Sequence, residues 1–138
     1  FRKVLKNKIL NKFIKIINNE IDNNQSNNDL KNFSNILKKN VKTLTDFSNW
    51  LEEKNKNKKD DVSSACNDFL KVLGYISLGF AWFKMTKVSL KKTNENKNFY
   101  EEKINTAKYY FEKISPRIES HYNSAISGSE SLMKAKFN

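Results

Sequence analysis

Apolar residues recur along this chain with the period of an α-helix, in four stretches. The first covers about residues 2–21, where Leu5, Ile9, Phe13, Ile16, Ile17 and Ile21 return every three or four positions. Its other face holds Arg2, Lys3, Lys6, Lys8, Lys12 and Lys15, with no acid before Glu20. The polar stretch 22–28 (DNNQSNN) breaks the pattern. Asn28 or Asp29 is placed to cap a second helix reaching about residue 54. Its stripe is Leu30, Phe33, Leu37, Val41, Leu44, Phe47 and Leu51, with Ile36 and Trp50 at the margins. That spacing approximates a heptad, the pattern of near-parallel helix packing.

The charged run 52–61 (EEKNKNKKDD) reads as a solvated, mobile loop between frayed helix ends. Asp60, Asp61, Ser63 and Ser64 are candidate caps for a third helix ending near residue 92. Inside it, residues 72–83 (VLGYISLGFAWF) carry no charge and are bracketed by Lys71 and Lys84. A helix that is apolar all round is buried on all sides, so this run predicts the central helix of the domain. Gly74, Ser77 and Ala81 fall at helical spacing and would let a neighbour approach closely. A polar turn at 93–97 leads to a fourth helix over about 98–127, with the stripe Tyr100, Ile104, Ala107, Phe111, Ile114, Ile118, Tyr122 and Ala125. Pro116 lies within it and should kink or restart it. Gly128 is a stop signal. Ser129 can cap a last turn on which Leu132 and Met133 fold back, and residues 134–138 form a frayed tail.

Short connections between amphipathic segments predict an all-α domain over residues 1–133, an up-down antiparallel four-helix bundle with a short C-terminal turn of helix. Composition agrees: 138 residues suffice for one core, and 3 Gly and 1 Pro are too few for a turn-rich β-sandwich. The chain starts at Phe1 inside a helical pattern, which reads as a piece of a longer polypeptide.

The formal net charge of +11 admits two explanations. One is a polyanionic partner, nucleic acid or an anionic membrane. The other is coding bias: Arg2 and Arg117 are the only arginines among 26 basic residues, and Asn, Ile and Phe abound. Nucleic-acid binders favour Arg for bidentate contacts, which turns the balance against nucleic acid and towards bias. The uncharged run is far short of the ~20 residues that span a bilayer, and no apolar signal core comes after the basic start. The lone Cys66 reads as a reduced, buried thiol, fitting a cytoplasmic setting. The glycosylation sequons at Asn24 and Asn32 read as chance in an Asn-rich chain.

No chemistry is spelled out. One His and one Cys, far apart, make no metal site, and scattered glycines make no phosphate loop. Cys66 and His121 would have to meet for nucleophilic catalysis, and the stripes place them instead as a packed thiol and a satisfied imidazole. The acid pairs Glu52/Glu53, Asp60/Asp61 and Glu101/Glu102 are sequence neighbours that cannot converge from one helix face, and none reads as buried. Glu101 and Glu102 suit the first turn of the fourth helix. Glu112 and Glu119 read as surface charges. Tyr109 and Tyr110 flank the inward Phe111 as boundary residues with wet hydroxyls.

Three blocks carry a resemblance. Gly74, Tyr75, Gly79, Trp82 and Met85 form the first; Thr106, Ala107, Lys108, Tyr110, Phe111 and Pro116 the second; Gly128, Ser131, Leu132 and Met133 the third. In this order and spacing they resemble the extra C-terminal helical domain of large acyl-CoA dehydrogenases, of the 3-methylmercaptopropionyl-CoA dehydrogenase type. The likeness covers about residues 70–133; the first half fits in length and pattern only. It implies a parent enzyme that oxidises an acyl-CoA thioester with FAD and a catalytic Glu, both in preceding domains. No catalytic, cofactor-binding or metal residue is carried onto this chain. The implied role of the blocks is packing against the rest of the parent chain and a second subunit. If Trp82 is buried as a member of the central helix, Trp82→Ala costs about 3–5 kcal/mol.

Overall fold

A computed structural model describes residues 8–136. Helix α1 spans Ile9–Asp22, so the expected helix start and Leu5 lie outside the described residues. Its inward face is Leu10, Ile17 and Ile21, with Phe13 and Ile14 beside them. Ile9 and Ile16, expected in the stripe, are exposed. The cause is that α1 packs chiefly on a single neighbour, which covers only one narrow side.

One turn of 3₁₀-helix, Asn28–Leu30, opens the next segment. Its cap is Asn27, whose side chain accepts the Asp29 amide at 3.1 Å, and not Asn28 or Asp29. Helix α2 then spans Lys31–Asn57. Every member of the heptad stripe from Leu30 to Leu51 is buried.

The expected mobile loop over 52–61 does not exist. Helix α3, Lys59–Lys92, starts one residue after α2 ends, with Lys58 alone as the joint. Both helices tolerate these charges because every charged position but Asp61 is open to water, while basic residues end α2 and Asp60 and Asp61 begin α3, as helix dipoles favour. None of the candidate side chains caps α3.

Helix α3 is central but not buried all round. It packs against α2, α4 (Lys97–Tyr109) and α5 (Arg117–Ile126). Phe69, Val72, Ile76 and Phe83 point into the core, and Leu70, Gly74, Ser77 and Leu78 face water. Trp82 is half-buried. With three partners to one side, the opposite side is left uncovered among the described residues.

The fourth predicted helix is two. Asn96 caps α4 by accepting the Phe99 amide at 3.2 Å, so Glu101 and Glu102 fall beyond the first turn. From Tyr110 to Ile114 the backbone widens into a π-turn, closed by Ser115 N–H donating to the Tyr110 carbonyl at 2.9 Å. Pro116 then starts α5, a position where its missing N–H costs nothing. The extra residue of the π-turn brings two adjacent aromatics, Tyr110 and Phe111, inward together. Gly128 takes the left-handed φ of 83° that ends a helix. The final helix, α6, is Glu130–Lys134, and Leu132 and Met133 do not fold back: they stay exposed because α6 is too short to bring them to the core. Among the described residues there is no strand.

Phe33 stacks on Phe111 with centroids 4.8 Å apart, and Phe47 packs edge-on against Phe69 and Tyr122 at 5.2 and 5.5 Å. The core is therefore ring-rich and sensitive to truncation. Phe83→Ala should cost about 3–5 kcal/mol, and Trp82→Ala distinctly less because part of its ring already lies in water. Urea denaturation of both variants checks this; equal costs would place Trp82 in the core.

Candidate functional site

Gly79 is a point of close approach in the α3 packing. A Cβ built there would lie 3.4 Å from Tyr110 Cε1, 3.5 Å from Phe111 Cε1 and 3.6 Å from Leu37 Cδ1. A methyl would make ordinary contacts there and leave no room for more, so a small residue lets α2 and the π-turn close on α3 together. The Tyr110 hydroxyl, expected to be wet, is buried and donates to the Tyr75 carbonyl. Burial, with the neighbouring Tyr75 adding to it, pushes the Tyr110 phenol up to about 12. It stays protonated, and so remains a donor, across the ordinary pH range.

Next to this contact, His121 Nδ1 lies 2.8 Å from Asp68 Oδ1, and its ring stacks on Tyr75 at 5.8 Å. The pair ties α5 to α3. Cys66 does not join it. Residues 66 and 68 point about 160° apart around α3, and the thiol, only partly buried, turns back to the Val62 carbonyl at 3.2 Å. The Asp–His pair thus has a base and its orienting acid, with no nucleophile brought to them.

One acid departs from expectation. Asp61 is buried, and its Oδ1 accepts from the Ser129 backbone N–H at 2.9 Å and from the Ser129 hydroxyl at 2.6 Å. The Ser129 hydroxyl and then its amide hold the Asp61 carboxyl below its ordinary range. Gly128 makes room for this, since a Cβ there would sit 3.4 Å from Asp61 Oδ1. Glu20 is similarly lowered, first by the hydrogen bond from Lys87 at 2.7 Å, which links α1 to α3. Glu119 pairs with Lys39 at 2.8 Å and Glu112 with Lys108 at 3.9 Å, both at the surface.

The sequence motif residues separate into two groups. Gly79, Ala107, Tyr110 and Phe111 are buried, Tyr75 and Trp82 are half-buried, and Pro116 and Gly128 sit at the turns. Gly74, Met85 and Leu132 are exposed, and a Cβ at Gly74 would meet nothing within 4 Å. The exposed members of α3 form a continuous face. Leu70, Gly74, Ser77, Leu78, Ala81, Met85 and Val88 share an arc about 100° wide, all exposed except the half-buried Ala81. No charge interrupts it; Lys71 and Lys84 stand at its borders. At its C-terminal end, Met85 and Val88 meet Phe99 and Tyr100 in a shallow groove of about 280 Å³ flanked by Lys84 and Lys103. Leu70, Leu78 and Val88 drew no notice in the sequence, though the steps Leu70, Gly74, Leu78, Ala81 and Val88, of four, four, three and seven residues, mark a second stripe opposite the core. The Asp61–Ser129 and Asp68–His121 contacts carry no local signal at all.

Among the described residues no His, Cys, Asp and Glu cluster could hold a metal ion, and no helix is long and apolar enough to cross a membrane.

The lowered Asp61 carboxyl stabilises the fold above the unfolded value near pH 3.8, and that contribution disappears as pH falls through the lower folded value. Asp61→Asn should therefore lower Tm at pH 6, with the gap to wild type closing towards pH 2. A gap that stays constant over that range would remove the carboxylate from the account; thermal melts at a series of pH values measure it.

Comparison with known proteins bears on the whole of this architecture. No curated protein matches the chain. A profile of the family described as "acetyl-CoA dehydrogenase C-terminal like" matches residues 10–136. The match takes in α1 and α2, where the sequence motifs were silent, as well as the three motif blocks. With nearly all the described helices inside that match, the chain belongs to the acetyl-CoA dehydrogenase C-terminal-like family.

Proposed function

We propose that this chain is the non-catalytic C-terminal helical domain of an FAD-dependent acyl-CoA dehydrogenase, and that it packs on the rest of the enzyme through the exposed face of α3. The observation that carries the reading is the uncharged arc from Leu70 to Val88 in a chain of which 30% of residues are charged. Contiguous exposed apolar surface of this kind marks an interaction site. Family membership supports the parent dehydrogenase chain as what it would meet; contact with a second subunit is part of the proposal. The finer assignment, a parent of the 3-methylmercaptopropionyl-CoA type working in the cytoplasm, rests on the three motif blocks.

In this reading the helices run up and down as an antiparallel bundle, α2 and α3 turning back on each other through Lys58. The bundle holds α3 rigid, so that its outer face is presented as a flat, pre-formed surface with little ordering left to do on docking. Flavin and the catalytic Glu belong to the other domains. Here Gly74 and Ser77 serve close approach by the partner, as Gly79 serves close approach within the domain.

Gly74 separates the two roles. In the chain alone, Gly74→Ala should raise stability by about 0.5–1 kcal/mol, because an exposed helical Gly is replaced where nothing obstructs the methyl. In the complete dehydrogenase, Leu78→Glu should leave the domain's helix content intact but expose α3 amides to hydrogen exchange. Unchanged α3 protection in that variant, or stoichiometric FAD on the isolated chain, would overturn the reading.

A further inference from the structure

A groove between α1 and α2 plays no part in the packing face. It consists of two hollows that share Asn35 and Lys38. One, of about 480 Å³, has Val41 at its floor and Asn18, Lys39 and Lys42 at its edge. The other, of about 330 Å³, has Ile21 at its floor and Gln25, Lys31 and Ser34 at its edge. Hollows of this volume are in the range of small-molecule sites.

The charge in the groove is unevenly spent. Lys39 pairs with Glu119 at 2.8 Å and Lys42 with Asp46 at 3.0 Å. Asp22, next in sequence to Ile21, accepts from Gln25 at 2.9 Å. The side chains of Lys31 and Lys38 have no ion pair or hydrogen bond among the described residues. They stand two turns apart on one helix, about 10 Å along its axis. Ser34 lies between them in sequence, is 8% exposed, and its hydroxyl is buried without a partner among the described residues. The groove therefore offers two unspent ammonium groups, an unspent hydroxyl, side-chain amides from Asn18 and Asn35, and an apolar floor.

We propose that this groove binds a phosphorylated small molecule of nucleotide size. The free ammonium groups of Lys31 and Lys38 attract the phosphate oxygens, a point-charge role that suits Lys. The amides donate to and accept from the polar edge of the ligand body, and Val41 and Ile21 pack against its apolar face. A bare phosphate would use the cations and leave the floor empty. A ligand with a planar or apolar body uses both.

The experiment is titration of the protein with ADP and with inorganic pyrophosphate at about 150 mM salt, where screening reduces diffuse attraction. Amide NMR shifts give the site, and calorimetry gives affinity and stoichiometry. The expected result is one-to-one binding with shifts concentrated at residues 18–42, tighter for ADP than for pyrophosphate. Lys31→Gln combined with Lys38→Gln should weaken ADP binding at least ~10-fold. Lys56→Gln combined with Lys59→Gln removes the same charge at the far end of α2, where Lys56 stands about 27 Å from Lys38 along the helix and Lys59 opens α3, and should change it less than ~2-fold. Equal losses from the two pairs would reduce the effect to net charge and overturn the proposal. So would the absence of one-to-one binding. Tighter binding of a single-stranded oligonucleotide that ADP does not displace would also overturn it, in favour of a nucleic-acid surface.

Discussion

The fold depends on one crowded contact, where there is room for no side chain larger than a methyl. At Gly79 three parts of the chain meet: α3 itself, α2 through Leu37, and the π-turn through Tyr110 and Phe111. Each ring lies at ordinary contact distance from where a methyl would stand, so anything larger would hold the last third of the chain away from α3. That approach allows Phe111 to stack on Phe33 and the Tyr110 hydroxyl to reach the Tyr75 carbonyl. The helix-weakening effect of Gly, roughly 0.5–1 kcal/mol, is small beside the burial of two aromatic rings, each worth about 1.5–3 kcal/mol.

Around this contact the polar ties are few and specific. Glu20 with Lys87 fixes α1, Asp68 with His121 fixes α5, and Asp61 with Ser129 fixes the C-terminal turn, all against α3. The Glu20–Lys87 ion pair, partly open to water, contributes on the order of 0.2–1 kcal/mol, too little to drive folding, and the other two ties are single contacts as well. They discriminate among ways of packing an apolar stripe that, by itself, could slide. The stripe supplies attraction without direction, and three polar contacts supply the direction.

Much of this is legible in the sequence. The α2 stripe reads residue for residue, because its apolar positions stand out against a polar opposite face. Pro116 and Gly128 announce the breaks they make, since each acts through its own backbone. The misreadings share a cause. The run at 72–83 reads as an all-buried helix because both of its faces lack charge, and periodicity cannot tell a buried apolar face from one kept for a partner. The charged run 52–61 reads as a loop because its composition is solvated; yet a solvated helix end has the same composition. Asp61 and Ser129 are 68 positions apart, and no local pattern anticipates such a contact. The same holds for the α1–α2 groove, whose lysines look like one more basic surface until each is matched with its partner in space.

The single-residue joint at Lys58 has a mechanical consequence. With only one residue between two long helices, neither can turn about its own axis independently of the other. Each residue added to or removed from α3 would rotate the remainder of that helix by about 100°, which is the width of the outer arc itself. The joint thus acts as an indexing pin: it sets which side of α3 the rest of the domain covers, and hence which side is left for the outside.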